Sequence, residues 1–163
     1  MTKINRVLFI CYANICRSPA AHKLAEYYAK KHELRGVIFD SAGWHEASDT
    51  ATQETKNYVE AKGIDMSDFK SKVITREMVE NNDLIIGMER YHILKVKQLF
   101  KDLKNKLEDK TYTLKEFNGA DKNNLNIPDP YNTGLENYNN ILKIVEENVE
   151  MLVKKIVEIN SSS

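Results

Sequence analysis

The sequence predicts an α/β fold: a single-domain open parallel sheet of about four strands with helices on both faces. Three observations lead there. Short apolar β-forming runs alternate with segments of helical periodicity from the start of the chain. The first of these runs becomes fully apolar, as a parallel strand covered on both faces must. Turn-rich stretches separate the segments, yet no linker and no internal repeat divides the 163 residues, a length that fits one domain with a real core.

Taken in order, residues 4–10 (INRVLFI) read as the first strand. Ser18 and Pro19 then supply an N-cap and a first-turn proline for a helix to about residue 33, with Ala21, Leu24, Ala25 and Tyr28 as its apolar stripe. Gly36 stops it, and Val37, Ile38 and Phe39 make a second short strand that ends at residues 40–43 (DSAG). A helix from about 49 to 62 is closed by Gly63, with Tyr58 and Val59 inside, and a short helix is expected near 75–81. Residues 83–87 (DLIIG) form a buried strand, and 89–104 a helix with Ile93, Val96, Leu99, Phe100 and Leu103 as its stripe. Residues 111–114 give one last strand. Residues 118–134, rich in Asn, Asp, Pro and Gly, form a long loop. The final helix begins after Gly134; Tyr138, Leu142, Val145, Val149, Leu152, Ile156 and Ile159 recur at helical spacing, which suits packing on the sheet. The domain is expected over residues 1–160, with 161–163 (SSS) as a disordered tail or an expression remnant.

Charge and composition narrow the function. Lys plus Arg and Asp plus Glu are 24 each, a formal net charge of zero, so the polyanion footprint of a nucleic-acid binder is absent and anion recognition must be local. No stretch has the apolar length of a membrane span, and the first residues carry too short an apolar run for a signal peptide. Cytoplasmic residence is the expectation. Two cysteines, Cys11 and Cys16, build no disulfide framework and no structural zinc site, and the four histidines lack metal-ligand spacing; no metal and no cofactor are expected.

In an open parallel sheet, ligands bind beyond the carboxyl ends of the strands, where Cys11, Ser41 and the residues after Ile86 fall. The stretch CYANICRS, residues 11–18, joins the first strand to the first helix. A helix N-terminus has unpaired amides and partial positive charge, and a loop curling over it makes an anion cradle. Tyr12, Ala13, Asn14, Ile15 and Cys16 would be that loop. Cys11 opens it, in a field where a thiol ionises readily, and Arg17 closes it with a planar fork suited to phosphate oxygens. Ser18 could donate its hydroxyl to the sulfur. By itself Cys11 reads more often as an inert core thiol than as a nucleophile; its place between an apolar strand and a helix start favours phosphate-directed thiol chemistry.

The segment VLFICYANICRSPAA resembles the phosphate-binding loop of the low-molecular-weight protein tyrosine phosphatases: Cys, five residues, Arg, then Ser or Thr. Residues 40–44 (DSAGW) resemble the family's Ser-Ala-Gly segment, 63–67 (GIDMS) its Gly-Ile-x-x-Ser, and 128–131 (PDPY) its acid loop. The resemblance implies a metal-independent hydrolase acting on phosphotyrosine proteins or small aryl phosphates, releasing inorganic phosphate, as a monomer or at most a weak dimer. It implies Cys11 as nucleophile, Arg17 as the clamp on phosphoryl oxygens, and Asp129 as general acid and then base. Asn14 and Ser41 match a hydrogen-bonded pair that supports the loop together with Ser18. Trp44 and Tyr131 match residues that shape substrate choice, and Cys16 matches a partner that would protect Cys11 from oxidation through a reversible disulfide.

Several positions depart from the family pattern. Ala13 stands where glycine is usual, implying strain if that position needs positive φ. Phe69 or a neighbour replaces a supporting histidine, and Asn132 replaces the second tyrosine of a pair. Two other functions fit part of the pattern. An arsenate reductase of the same fold would need further cysteines, and a phosphate- or phosphotyrosine-binding module would not need nucleophile, arginine and acid together.

Overall fold

A computed structural model describes residues 1–162. Four strands, β1 (Arg6–Ile10), β2 (Ile38–Ala42), β3 (Leu84–Gly87) and β4 (Thr111–Thr113), pair in the order β2-β1-β3-β4, every pair parallel. β1 is central: Val7 sits opposite Phe39 on one side and Leu84 on the other, and Ile10 opposite Ala42 and Gly87. The helices are α1 (Arg17–Lys31), α2 (Gln53–Glu60), α3 (Arg76–Asn81), α4 (Arg90–Leu99), α5 (Lys104–Leu107), α6 (Leu114–Phe117) and α7 (Leu135–Ser161).

Alternation along β1 divides the core in two. Val7 and Phe9, with Leu84 and Ile86, meet the layer of α1 and α7 through Leu24, Leu142, Val149 and Leu152. Leu8 and Ile10, with Ile85, meet Val79 of α3, Val96 of α4, and Leu103 and Leu107. Each such side chain contributes about 1.5–3 kcal/mol by leaving water. All four apolar residues of β1 are fully buried, which explains the uninterrupted run VLFI. The α7 stripe read from the sequence packs inward from Tyr138 to Ile156, and Ile159 is half-buried.

The expected elements are present, and the departures have local causes. α1 starts at Arg17 with Cys16 in the N-cap position, so Ser18 is not the cap; its hydroxyl turns to the Cys11 sulfur. The helix expected from about 49 begins at Gln53, because Thr52 is extended and caps it. The helix expected over 89–104 ends at Leu99, because Phe100 leaves the helical region (φ −123°, ψ 56°). A 3₁₀ turn over Lys101–Leu103 and α5 then bring Leu103 and Leu107 into the core, while Leu99 is exposed rather than in the stripe. β4 stops at Thr113, whose hydroxyl accepts from Glu116 N (3.0 Å) while Glu116 Oε1 accepts from Thr113 N (3.2 Å), a capping box that opens α6. Residues 118–134 form the expected loop. It is held to the sheet by Ile127, fully buried, whose N–H donates to Met88 O (2.9 Å). The expected tail begins inside α7, which runs to Ser161, and Ser163 lies outside the described residues.

Candidate active site

β1 delivers Cys11 to the carboxyl edge of the sheet between β2 and β3, the point where strand order reverses and open α/β sheets bind ligands. Residues 12–16 then curl over the start of α1. Their carbonyls are claimed from outside the curl. Tyr12 O accepts from Trp44 N (2.9 Å) and His45 N (3.2 Å), Asn14 O from Ser71 Oγ (2.7 Å), Ile15 O from Thr52 N (2.9 Å), and Cys16 O from Thr55 Oγ1 (3.0 Å). A trans peptide directs its N–H opposite to its C=O. The amides of Ala13, Ile15, Cys16 and Arg17 are therefore turned into the hollow, where they find no acceptor among the described residues. Asn14 makes the reversal at φ 55°, a conformation Asn tolerates better than most residues. The result is a nest of amides at a helix N-terminus, suited to a tetrahedral oxyanion.

Cys11, 3% exposed, lies at the base of this nest. Its Sγ is 2.9 Å from Ser18 Oγ. Ser18 Oγ already accepts from Asn14 Nδ2 (2.8 Å), which leaves the serine proton free to point at the sulfur. Asn14 Oδ1 in turn accepts from Lys72 N (3.0 Å). Sulfur, serine and asparagine thus form one chain anchored outside the loop.

Arg17 is 2% exposed. Its Nη1 donates to Glu89 Oε2 and to Ile127 O, both at 2.6 Å, while the buried Nε has no partner among the described residues. A buried guanidinium N–H left without an acceptor is costly, and a bound oxyanion would supply one. Glu89 follows β3, and His92 fixes the backbone there. His92 Nδ1 accepts from Met88 N (3.1 Å) and Glu89 N (3.0 Å), which assigns the ring proton to Nε2, 3.6 Å from Glu89 Oε2. Burial, reinforced by the Arg17 charge, pushes the imidazole down to about 3, so it stays neutral beside the pair.

A cavity of about 250 Å³ opens above Cys11 and Arg17. Tyr12, Ile15, Ala47 and Tyr131 give it apolar walls, and His45 and Asp129 complete the rim. Asp129 is exposed; its Oδ1 accepts from Tyr131 N (3.0 Å), which orients the carboxylate on its stiff Pro-Asp-Pro segment. Cys16 borders the same cavity. Burial pushes its thiol up to about 11 against the hydroxyls of Tyr138 and Thr52, so Cys16 is protonated at neutral pH. Among the described residues no group of three or more His, Cys, Asp or Glu is arranged to hold a metal ion.

The expected residues Cys11, Tyr12, Ala13, Ile15, Cys16, Arg17, Asp129 and Tyr131 all line one cavity, with Asn14 and Ser18 directly behind it. Three expectations are corrected. Ser41 does not pair with Asn14: its hydroxyl bonds His22 Nδ1 (2.9 Å), and Asn14 is held by Ser71 and Lys72 instead. Trp44 is outside the cavity, edge-on to Tyr12 (5.6 Å), Tyr91 (5.5 Å) and His92 (5.5 Å); His45, stacked on Tyr12 at 4.7 Å, takes the place at the rim. Ala13 carries no left-handed strain, because Asn14 makes the reversal. Phe69 is buried edge-on to His22 (5.9 Å), and both cysteines are free. No sequence pattern marked His92, Ser71 or Thr55, whereas Glu89 had one signal, its place just past a strand end.

Three comparisons bear on this geometry. The family model described as low molecular weight phosphotyrosine protein phosphatase matches residues 6–161. The low molecular weight protein-tyrosine-phosphatase Etp of Escherichia coli K12 is 29% identical over 161 residues, covering 94% of this chain and 96% of that protein. A protein-arginine-phosphatase of Geobacillus stearothermophilus is 31% identical over 155 residues, covering 94% of each. Among solved structures, a YwlE mutant from Bacillus subtilis superposes with a TM-score of 0.82 at 27% identity, covering 93% of this chain and 98% of that one.

Proposed function

The chain belongs to the low molecular weight phosphotyrosine protein phosphatase family, and from that premise we propose that it hydrolyses phosphotyrosine in proteins, and small aryl phosphates, through a phosphocysteine at Cys11. The observation that carries the reading is the shared cavity. One hollow holds the Cys11 sulfur, a ring of inward amides, the unpartnered buried Nε of Arg17, and a carboxylate from a different loop.

Each group has a part. The loop amides and Arg17 hold the three non-bridging oxygens and stabilise the charge that spreads over them in the transition state. Glu89 and the Ile127 carbonyl keep the guanidinium in place from behind. The Cys11 sulfur attacks phosphorus as the bond to the aryl oxygen breaks, and Asp129 gives its proton to that departing oxygen. Asp129, now a carboxylate, takes a proton from water whose oxygen attacks the phosphocysteine. The S–P bond breaks, inorganic phosphate leaves, and the sulfur returns to the hydrogen bond of Ser18.

The walls favour an aromatic leaving group. Tyr12, Ile15, Ala47 and Tyr131 offer flat apolar contact to a phenyl ring. The arginine phosphatase among the relatives supplies a second reading, phosphoarginine hydrolysis with the same sulfur chemistry. In either reading one chain supplies every catalytic group, so the reaction needs no second copy. No helix among the described residues is long and apolar enough to cross a membrane. Parallel kcat/KM measurements on a phosphotyrosine peptide, a phosphoarginine peptide and para-nitrophenyl phosphate test the proposal. Preference for the aryl substrates, lost in Cys11→Ser, is expected; preference for phosphoarginine would overturn the substrate assignment.

A further inference from the structure

Against Cys16, three hydroxyls stand in a row. Thr52 Oγ1 is 2.5 Å from Tyr138 Oη, Tyr138 Oη is 2.6 Å from Thr55 Oγ1, and Thr55 Oγ1 is 3.0 Å from the Cys16 carbonyl oxygen. Thr55 and Tyr138 are buried. A hydroxyl has one proton and a carbonyl only accepts, so Thr55 donates to Cys16 O. Thr55 then accepts from Tyr138, and Tyr138 from Thr52. One direction satisfies all three bonds, and the protonated Cys16 thiol, which also meets the Tyr138 and Thr52 hydroxyls, donates to this row rather than accepting from it. Ile15 O keeps the Thr52 N–H at 2.9 Å and does not need the Thr52 hydroxyl, which is 3.3 Å away.

The chain ends on the peptide that matters most to the cradle. Cys16 sits at φ −114°, ψ −80°, neither helical nor extended, and no side chain caps α1. Its carbonyl and the Arg17 amide belong to one peptide plane and point in opposite directions. Were that plane to flip, an oxygen would face the bound anion and the Arg17 N–H would be lost to it. Resting on the reading of residues 11–17 as a phosphate loop, we infer that Thr55, backed by Tyr138 and Thr52, is a positioning residue that turns the Cys16 carbonyl outward and so aims the Arg17 amide at the substrate's phosphoryl oxygens. The hydroxyls polarise one another in series, so each link strengthens the last. α2 and α7 thereby set the shape of a loop that neither contributes to directly.

A purely structural role has a different signature. Thr52 also caps α2, accepting from Thr55 N at 3.4 Å, and losing that support would lower Tm without altering anion affinity. The test is calorimetric titration of inorganic phosphate into the wild type, Thr55→Val, Thr55→Ser and Tyr138→Phe, with Tm and para-nitrophenyl phosphate kinetics on the same preparations. Thr55→Val keeps the shape and loses the hydroxyl, so phosphate affinity and kcat/KM fall together by about tenfold. Thr55→Ser recovers most of that loss, and Tyr138→Phe, one link back, loses about threefold. Thr55→Val binding phosphate as tightly as the wild type, or Thr55→Ser doing no better than Thr55→Val, overturns the inference. Should Thr55→Val not fold, Tyr138→Phe decides by the same criterion. Wild-type protein that binds phosphate but turns over no aryl phosphate sinks the functional reading alone, and phosphate affinity still decides the role of Thr55. Wild-type protein that binds no phosphate overturns both.

Discussion

Substituting Gly43 by alanine tests the packing that holds the loop in shape. A Cβ built at Gly43 would lie 2.7 Å from Tyr12 O, 2.8 Å from Ala13 C and 2.8 Å from Asn14 N, all backbone atoms of the loop. Ordinary contact begins near 3.4 Å; 3.4 minus 2.7 leaves an overlap of about 0.7 Å to be relieved. Gly43 cannot retreat easily, because its N–H donates to Lys72 O (2.9 Å) and its carbonyl accepts from Ile74 N (2.7 Å) on the far side. The loop must therefore yield, and toward the cavity. A displacement near 1 Å in a reacting geometry can cost about a hundredfold in rate, so Gly43→Ala should lose about ten- to fiftyfold in kcat/KM. Overpacking costs about 1–3 kcal/mol, which in a domain of this size lowers Tm by about 3–10 °C. Para-nitrophenyl phosphate kinetics, run well below the variant's Tm, measure the first effect and scanning calorimetry the second. A variant with kcat/KM within about twofold of wild type would refute the claim that this contact sets the loop.

Three other outcomes are expected. Asp129→Ala removes the proton donor and should lower kcat on phenyl phosphate by about a hundredfold or more, with a smaller loss on para-nitrophenyl phosphate, whose leaving group needs less help; equal losses on both would contradict the assignment. Glu89→Gln removes the charge that holds Arg17 Nη1 and should lower kcat/KM by about tenfold and weaken phosphate inhibition in parallel. The third concerns acid stability. Burial alone would raise the Glu146 carboxyl, but hydrogen bonds from Lys62 (2.7 Å), Tyr28 (2.5 Å) and Tyr58 (2.6 Å) outweigh it and hold it below the usual carboxylate range. That stabilisation is complete above the unfolded value and is lost as pH falls through the lower folded one. Glu146→Gln should accordingly lower Tm by several degrees at pH 7, a gap that narrows as pH falls from the ordinary carboxylate range and closes only below the depressed folded value; a constant gap at all pH values would show the carboxylate is not the source.

The legible part of the site is the part that lies close together in the chain. Cys11, Arg17 and Ser18 are recognisable because one strand–loop–helix junction holds all three, and the composition of residues 118–134 marks the loop that carries Asp129. Ser18 shows how a correct residue can be read for an incomplete reason: a serine before proline looks like a helix cap, but the sulfur and Asn14 compete for its hydroxyl and win. What stayed hidden depends on long-range contact. Glu89 meets Arg17 across 72 positions, and Tyr138 meets Thr55 across 83, with no local pattern to announce either. Phe100 broke the expected helix because burying Leu103 and Leu107 outweighed the continued periodicity that placed Leu99 inside. α6 could have been read from its Thr-x-x-Glu capping box, a signal that the preceding strand masked.

The catalytic cycle requires a covalent bond between phosphorus and one particular sulfur, that of Cys11. Asp129→Ala protein mixed rapidly with an aryl phosphate, quenched in acid and mapped by mass spectrometry should carry a single phosphoryl group on the peptide containing Cys11, absent in the matching Cys11→Ser preparation. A turnover-competent enzyme in which that group appears on another residue, or on none at any quench time, would contradict it.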